Sequence, residues 1–148
     1  MISEADLEKF LHEKIPLTVS MGVQVEECND QRLVLTAPLE PNHNHLGTAF
    51  GGSLHALATL SGYGLLWWLL QEPEAHIVIR ESTIRYERPV HDILRAVCSS
   101  PTAQEMERFR KDLSRKGKAR IALDAAIVQD NEIAAYFHAT FVALGNPS

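Results

Sequence analysis

The sequence lacks charge over one long segment. Of its 148 residues, 19 are Asp or Glu and 14 are Lys or Arg, yet none of these lies within residues 41–71. The net charge of -5 argues against a general binder of nucleic acid or of anionic membranes. A long neutral segment is typical either of a membrane span or of a helix that protein buries on every side.

A membrane span is the less favoured explanation of the neutral segment. Residues 53–70 supply 18 uncharged positions, a length near the lower limit for crossing a bilayer. The segment contains polar residues such as His55 and Thr59, however, and its nearest charges are Glu40 and Glu72 rather than the basic residues that orient a span. We therefore expect a helix buried by protein and no association with a membrane.

Cysteine is scarce too, because only Cys28 and Cys98 occur in the chain. Residues 1–14 do not have the pattern of a signal peptide. The two thiols are therefore predicted to be free, and the protein to be cytoplasmic, where the environment is reducing. Neither cysteine has neighbours that indicate a nucleophilic or redox site.

Internal repeats, low-complexity tracts and linkers are absent from the sequence. The chain length and an apolar content of 45% are typical of an ordinary globular domain. We therefore predict a single domain that spans residues 1–148.

Hydrophobic spacing predicts the order of helices and strands in the first half of the chain. A helix opens at Ser3 and ends at Pro16. Alternating apolar residues over 19–25 and over 33–39 then predict a β-hairpin. After a loop rich in Asn, His and Gly, the neutral segment is predicted to form a helix over 53–70.

The second half of the chain continues this mixed order. Strands are predicted over 76–88 and 93–99, followed by a helix between the capping residue Thr102 and Gly117. Two further strands close the chain. One face of the last strand is predicted to consist of Ile133, Ala135, Phe137, Ala139, Phe141 and Ala143.

This order of elements predicts an α+β fold with an antiparallel sheet. One apolar helix and about six strands fit best if the sheet curls around the helix. A curled sheet leaves part of such a helix uncovered. We therefore expect a homodimer or a homotetramer, assembled through an edge strand or through the helix.

The loop before the apolar helix carries a motif. Residues 44–52 read Asn-His-Leu-Gly-Thr-Ala-Phe-Gly-Gly and lead directly into the helix, an arrangement that resembles the signature of hot-dog-fold acyl thioesterases. More narrowly, residues 44–68 resemble a bacterial thioesterase domain that occurs alone or fused C-terminally to a GNAT acetyltransferase. The resemblance implies the hot-dog fold, in which an antiparallel sheet wraps around a central apolar helix.

The same resemblance implies hydrolysis of an acyl-CoA or acyl-carrier-protein thioester to a carboxylic acid and a thiol. Coenzyme A or phosphopantetheine would enter as part of the substrate, and no separate cofactor is expected. Other functions stay open for this fold. They are non-catalytic or regulatory binding of acyl thioesters, dehydration, and a purely structural or partner-binding role.

The paired glycines of the motif are candidate substrate-binding residues. Gly51 and Gly52 allow the backbone to approach a ligand closely, and at a helix start their amides point outward without acceptors. These donors would hold a thioester carbonyl and stabilise the oxyanion that forms during hydrolysis. Gly47 and Ser53 complete the predicted substrate-binding set. The alternative is that the glycines only permit tight packing of the loop.

Asn44 and Thr59 are candidate catalytic residues. The resemblance implies that Asn44 positions water or the thioester carbonyl, although Asn is also a common turn residue. Two positions depart from the family pattern, because Phe50 replaces its usual His and Thr59 stands where many relatives have a carboxylate. The Thr59 hydroxyl would orient water but would not act as a base at neutral pH.

His55 is the third candidate catalytic residue and the predicted general base. It precedes Thr59 by one helical turn, so the two side chains are expected to share a helix face. Imidazole suits proton transfer near neutral pH, although a buried, hydrogen-bonded core His is the alternative. Other bases that the sequence leaves open are Glu81, Glu87 and Asp124.

Two further groups of side chains are relevant to ligand binding. His43, His45 and His55 lack a nearby acidic or Cys ligand, and we predict no metal site. Basic residues around the later strands would either contact the phosphates of coenzyme A or phosphopantetheine, or simply be surface charges. These residues are Arg80, Arg85, Arg88, Arg95, Lys116, Lys118 and Arg120.

Overall fold

The computed structural model describes residues 1–145, which contain four α-helices and six β-strands. The helices are α1 (Glu4–Lys14), α2 (Pro16–Met21), α3 (Gly51–Leu70) and α4 (Ala103–Lys116). The strands are β1 (Gln24–Cys28), β2 (Arg32–Ala37), β3 (His76–Tyr86), β4 (Leu94–Ser99), β5 (Lys118–Gln129) and β6 (Glu132–Leu144). A single 3-10 turn spans Glu40–Asn42. The elements follow the predicted order, with α2 as an additional short helix.

The six strands form one sheet in the order β1-β2-β4-β5-β6-β3, and neighbouring strands pair antiparallel. Helix α3 packs against strands β2, β3, β4, β5 and β6, so the sheet wraps around this helix. Strands β1 and β3 form the two edges of the sheet. The predicted α+β hot-dog architecture is therefore confirmed.

Helix α3 is suited to burial because it has no charged residue and presents apolar side chains around most of its circumference. Leu57 and Leu65 are fully buried. The sheet approaches the helix backbone at Gly62, where an added Cβ would lie 2.7 Å from Cε2 of Phe141. Among the described residues, no helix combines the length and hydropathy needed to cross a bilayer.

The predicted first strand of the hairpin begins too early in the sequence. Helix α2 occupies this part of the chain, with Pro16 at its first position, where an amide proton would have no helical acceptor. Thr18 and Met21 are buried three residues apart, whereas Val19 is 61% exposed. Gly22 ends the helix in the left-handed conformation, with φ of 76°. The first three residues of the predicted strand therefore belong to helix α2, and strand β1 begins only at Gln24.

Edge strand β3 contains a β-bulge. Ile79 and Glu81 pair with consecutive residues of β6, which leaves Arg80 as an extra residue in the strand. Ile77 and Ile79 face α3 before the bulge, and Ser82 faces it afterwards. The bulge therefore reverses the alternation of inward and outward side chains along this strand.

Strand β6 alternates as predicted except at its start. Phe137 and Phe141 are buried on the inner face. Ile133, predicted to be on that face, is 37% exposed, and Ala134 is buried instead. The register between β5 and β6 shifts next to Ile127, and this irregularity reverses the alternation near the β5–β6 turn.

Capping boxes open helices α1 and α4. Ser3 and Asp6 exchange side-chain and backbone hydrogen bonds at the first helix, as Thr102 and Glu105 do at the other. The box at Ser3 is complete, although its acid is Asp rather than the usual Glu. The face of α4 that packs on β5 consists of Met106, Phe109 and Leu113, as predicted.

Candidate active site

One face of helix α3 remains uncovered by the sheet. Gly52, Ala56, Thr59 and Tyr63 follow one another at helical spacing along this face and line a cavity of about 670 Å³. The cavity lies between α3, the short helix α2 and edge strand β3. Its apolar walls include Ile15, Leu17, Leu60, Ile77, Ile79 and Phe141. Among the described residues, no Asp, Glu, Lys or Arg lines it.

A second depression, of about 750 Å³, lies on the outer face of the sheet. Its rim includes the paired side chains of Glu26 and Arg95, which form two hydrogen bonds of 2.9 and 2.7 Å. No residue of α3 lines this depression within the described part of the chain. We take the helix cavity as the candidate site because it combines an imidazole, a hydroxyl and a helix N-terminus.

His55 and Ser82 meet at the wall of the helix cavity. His55 lies in the second turn of α3 and Ser82 faces it from β3, with Nε2 of the imidazole 2.9 Å from Oγ of the serine. The imidazole also packs edge-on against Phe137, with ring centroids 5.6 Å apart. These contacts hold the ring in one orientation and join it to a hydroxyl rather than to a carboxylate. Ser82 is not among the residues that the sequence predicts for the site.

Thr59 shares the helix face of His55, as the spacing predicts. Its hydroxyl donates a hydrogen bond to the backbone carbonyl of His55, 2.9 Å away. Since the hydroxyl proton is used in this way, Thr59 presents lone pairs to the cavity as acceptors for water or a ligand.

Gly51 and Gly52 form the first turn of α3, whose N-cap Phe50 provides no side-chain hydrogen bond. The Phe50 carbonyl accepts hydrogen bonds from the amides of Ser53 and Leu54, at 3.0 and 3.1 Å. Within residues 1–145, the N–H groups of Gly51 and Gly52 have no protein acceptor. The helix start therefore offers unpaired donors at the positive end of its dipole, and Gly52 also lines the cavity.

Asn44 is fully engaged within its own loop. Its Oδ1 accepts from the amides of Leu46 and Thr48, at 2.8 and 3.2 Å. Its Nδ2 donates to the Thr48 hydroxyl at 2.8 Å and to the Ala49 carbonyl at 3.5 Å. In this structure the amide of Asn44 is used within the loop, and a role in positioning water stays a prediction. Gly47 completes this loop in the left-handed conformation, with φ of 80°.

Asn42 anchors the loop from below, and the sequence does not single it out. It is 2% exposed, and its Nδ2 donates to the carbonyls of Met21 and Pro38, at 2.9 and 2.8 Å. The backbone carbonyl of Asn42 accepts a hydrogen bond from the amide of Phe50, at 2.7 Å. Asn42 therefore sets the position at which α3 begins. Asparagine is so common in loops that its presence at position 42 does not identify this role from the sequence.

The other candidate bases lie outside the helix cavity. Glu81 lines a shallow depression on the outer side of β3. Glu87 follows the end of β3 and forms an ion pair with Arg85. The Asp124 carboxylate lies 2.6 Å from Nδ1 of His138 on the outer face of the sheet. None of the three reaches the imidazole of His55.

Cys28 and Cys98 are free, as predicted, and both are buried. Burial raises the pKa of each thiol to about 12. In the part of the chain that the structure describes, no three His, Cys, Asp or Glu side chains form a group that would hold a metal ion.

Known proteins are similar to this chain in sequence and in fold. Residues 4–145 match the family model described as "Putative thioesterase (yiiD_Cterm)". A crystal structure of a protein of unknown function from Chlorobaculum tepidum TLS is 34% identical. The match covers 97% of this chain and 94% of that chain, with a TM-score of 0.92.

Two further solved structures are described as thioesterases. A "putative thioesterase" from Shewanella oneidensis is 28% identical, with 95% of this chain and 96% of that chain covered and a TM-score of 0.83. A "probable thioesterase" from Pseudomonas aeruginosa shares the fold at 22% identity and a TM-score of 0.81, over 95% of this chain and 94% of that chain. Because the family model spans nearly the whole chain, the protein belongs to the putative thioesterase family of hot-dog proteins.

Proposed function

We propose that this protein hydrolyses the acyl thioesters of coenzyme A or of an acyl-carrier protein to a carboxylic acid and a thiol. The main support is the hydrogen-bonded pair of His55 and Ser82 in an apolar cavity that begins at the free amides of α3. An uncharged apolar cavity suits an acyl chain. Unpaired backbone amides suit the oxygen of a thioester carbonyl.

The amides of Gly51 and Gly52 would bind the carbonyl oxygen and stabilise the negative charge that it develops. Such donors typically accelerate a reaction by about 10²–10³ each. His55 would take a proton from the attacking group and return it to the departing thiolate, a role worth about 10²–10⁴ in rate. Thr59 would accept a hydrogen bond from the attacking water, because its own proton is bound to the His55 carbonyl.

Two arginines, Arg80 of β3 and Arg120 of β5, lie at one depression on the sheet and suit a charged substrate carrier. Glu81 and Thr140 line the same depression, and neither arginine forms a salt bridge within residues 1–145. Guanidinium groups bind phosphate oxygens well. We propose that these two side chains contact the phosphates of coenzyme A or of phosphopantetheine, which both belong to the substrate.

A homodimer would complete the cavity wall. Strand β3 is an open edge of the sheet, and its residues Val78 and Ile79 are 52% and 39% exposed. Apolar side chains on an open edge favour pairing with another strand. We propose that β3 pairs with β3 of a second copy, and that two such dimers would form any homotetramer. A cytoplasmic location is proposed as well, because the two buried thiols are free.

Non-catalytic binding of acyl thioesters is the second candidate function. The observation that favours it is that, among the described residues, no carboxylate lines the cavity and Thr59 offers only a hydroxyl there. A dehydratase is less compatible, because it would need a carboxylate beside the histidine and none of the described residues supplies one to the cavity.

The decisive test measures thiol release by the purified full chain with acyl-CoA substrates from short to long, and with the same acyl groups on an acyl-carrier protein. We expect turnover with at least one chain length. The variant His55→Ala should lower kcat by about 10²–10⁴. His138→Ala, on the outer face of the sheet, is the matched control and should retain full turnover.

Two outcomes would overturn the proposal. Full turnover by a folded His55→Ala variant would show that His55 is not the general base. If no acyl chain gives turnover but a non-hydrolysable thioether analogue binds tightly, the protein is an acyl-thioester binder and not a hydrolase.

A further inference from the structure

We propose that Ser82 is the nucleophile of the reaction and carries the acyl group as a transient ester. This inference rests on the proposed thioesterase function and names the residue that attacks. It starts from the 2.9 Å distance between Nε2 of His55 and Oγ of Ser82. That distance lies within the reach of about 2.6–3.2 Å that defines an activated nucleophile and its base.

Ser82 is the hydroxyl best placed among the three that line the cavity. Thr59 donates its proton to the backbone carbonyl of His55, so that proton is not directed at the imidazole. Tyr63 lies about two helical turns after His55 on α3. Burial raises the pKa of its phenol, which opposes ionisation. Only Ser82 is hydrogen-bonded to the imidazole.

The hydrogen bond also determines what His55 can deprotonate. When the imidazole carries its proton on Nδ1, the lone pair of Nε2 points at the hydroxyl of Ser82. A water molecule could use the same lone pair only by displacing the serine. Ser82 is therefore the proton donor that is already hydrogen-bonded to this base. In the described part of the chain, no carboxylate lines the cavity as an alternative base.

Both side chains sit on regular elements that hold them in place. Ser82 pairs with the buried Ala139 across the β3–β6 ladder, and this register directs its side chain towards α3. His55 is held by the helix and by the ring of Phe137. Reacting groups on a strand and a helix are positioned more accurately than groups on loops.

The acylation step balances with these groups alone. Oγ of Ser82 attacks the thioester carbonyl carbon while its proton moves to Nε2 of His55, and the oxyanion is held by the amides of Gly51 and Gly52. The C–S bond then breaks, and the imidazolium gives its proton to the departing thiolate. The product of this half-reaction is an acyl ester on Ser82 and a free thiol.

Water completes the cycle. A water molecule attacks the ester carbonyl and gives a proton to Nε2 of His55. The C–O bond to Ser82 breaks, and the serine oxygen takes the proton back. The sum of both steps is thioester plus water to acid plus thiol, with no other reactant.

The first test uses the unmodified full chain. One acyl group is supplied on coenzyme A and on pantetheine, and methanol is added as a competitor of water. An ester on Ser82 is the same species from both substrates, so the ratio of methyl ester to free acid should be identical after correction for the reaction without protein. A ratio that differs between the two thiols means that the acceptor attacks the thioester directly, and it overturns the inference.

The second test compares Ser82→Ala with Thr83→Ala. We expect Ser82→Ala to lower kcat at least about 100-fold, because both half-reactions need the serine oxygen. Thr83, the outward-facing neighbour on the same strand, is the matched control and should stay within about twofold of the unmodified chain. A folded Ser82→Ala variant that retains a tenth or more of kcat also overturns the inference.

The two tests separate this inference from the proposed function. If no acyl thioester is hydrolysed, the proposed function itself fails. If hydrolysis is measured but the product ratio depends on the thiol, only the covalent step fails. Should Ser82→Ala not fold, as judged by circular dichroism, the product ratio of the unmodified chain still decides.

Discussion

The phenol hydroxyl of Tyr86 donates a hydrogen bond to the backbone carbonyl of Gly51, 2.8 Å away. Tyr86 is the last residue of β3 and Gly51 is the first of α3, so the bond ties the end of the edge strand to the start of the central helix. The ring also lies against the glycine, because an added Cβ on Gly51 would be 3.3 Å from Cζ of the tyrosine. This contact supports the turn that carries the unpaired amides.

The variant Tyr86→Phe removes this hydrogen bond and keeps the ring. We expect the free energy of unfolding to fall by about 0.5–1 kcal/mol, since the bond is partly exposed to water. A less rigid helix start should also lower kcat by up to about tenfold. Urea unfolding and thiol release measure the two effects. Tyr136→Phe, a similarly exposed tyrosine on the outer face, is the control, and equal behaviour of both variants would contradict the prediction.

At Gly62 the sheet packs closely on α3. In Gly62→Ala the new methyl group would overlap the buried ring of Phe141, and overpacking of this kind costs about 1–3 kcal/mol of stability. The control is Gly52→Ala, whose methyl group meets the ring of Phe50, a side chain 56% exposed and free to turn away. Urea unfolding should show a clear loss for the first variant only. Similar midpoints for both would contradict the packing argument.

Alkaline pH should destabilise the protein through its thiols. Burial raises the pKa of Cys28 and Cys98 to about 12, from 9.0 for an exposed thiol. The unfolded chain therefore releases these protons first, so stability is complete below about pH 9 and declines as pH rises towards 12. Urea unfolding midpoints at pH 7.5 and pH 10 measure the decline.

A cysteine variant isolates this effect from that of lysines and tyrosines, which titrate in the same range. Cys98→Ala should show a smaller decline between the two pH values than the unmodified chain, although it is less stable at both because of the cavity it leaves. An equal decline in both proteins would contradict a role for this thiol. Labelling of the native chain with a thiol reagent at neutral pH should be slow for the same reason.

The open edge at β3 predicts an oligomer that a charge can disrupt. Lys at an edge position opposes pairing with another strand. Val78→Lys should therefore shift the protein from dimer to monomer in sedimentation equilibrium. Ile133→Lys, an exposed apolar residue on the outer face, is the control and should leave the dimer intact. A monomeric unmodified chain, or a dimer unaffected by Val78→Lys, would contradict strand pairing at this edge.

Much of the fold follows from composition and helix signals. A helix wrapped by a sheet is buried over most of its surface and rarely carries charge, so the neutral segment can be placed at the centre of the fold from the sequence alone. The capping boxes at Ser3 and Thr102 likewise mark two helix starts through local hydrogen bonds. Helix α2 does not follow from the sequence in the same way, because Pro16 both ends one helix and begins the next.

The site is predictable where helical spacing governs it. His55 and Thr59 share a face because they lie one turn apart, and the amides of Gly51 and Gly52 are free because every helix start leaves donors unpaired. Ser82 cannot be found in this way. Its inward direction depends on pairing with β6, which a single sequence does not show.

The bulge at Arg80 has a consequence for comparing relatives of this protein. In a chain that lacks Arg80, β3 and β6 would pair without a bulge. The serine would still face the helix, because it would keep its partner Ala139 in β6. Relatives that differ by one residue here would therefore present the same surface to a substrate. A gapless alignment of the two kinds of strand would set Ser82 against an outward-facing residue, and the shared hydroxyl would pass unnoticed.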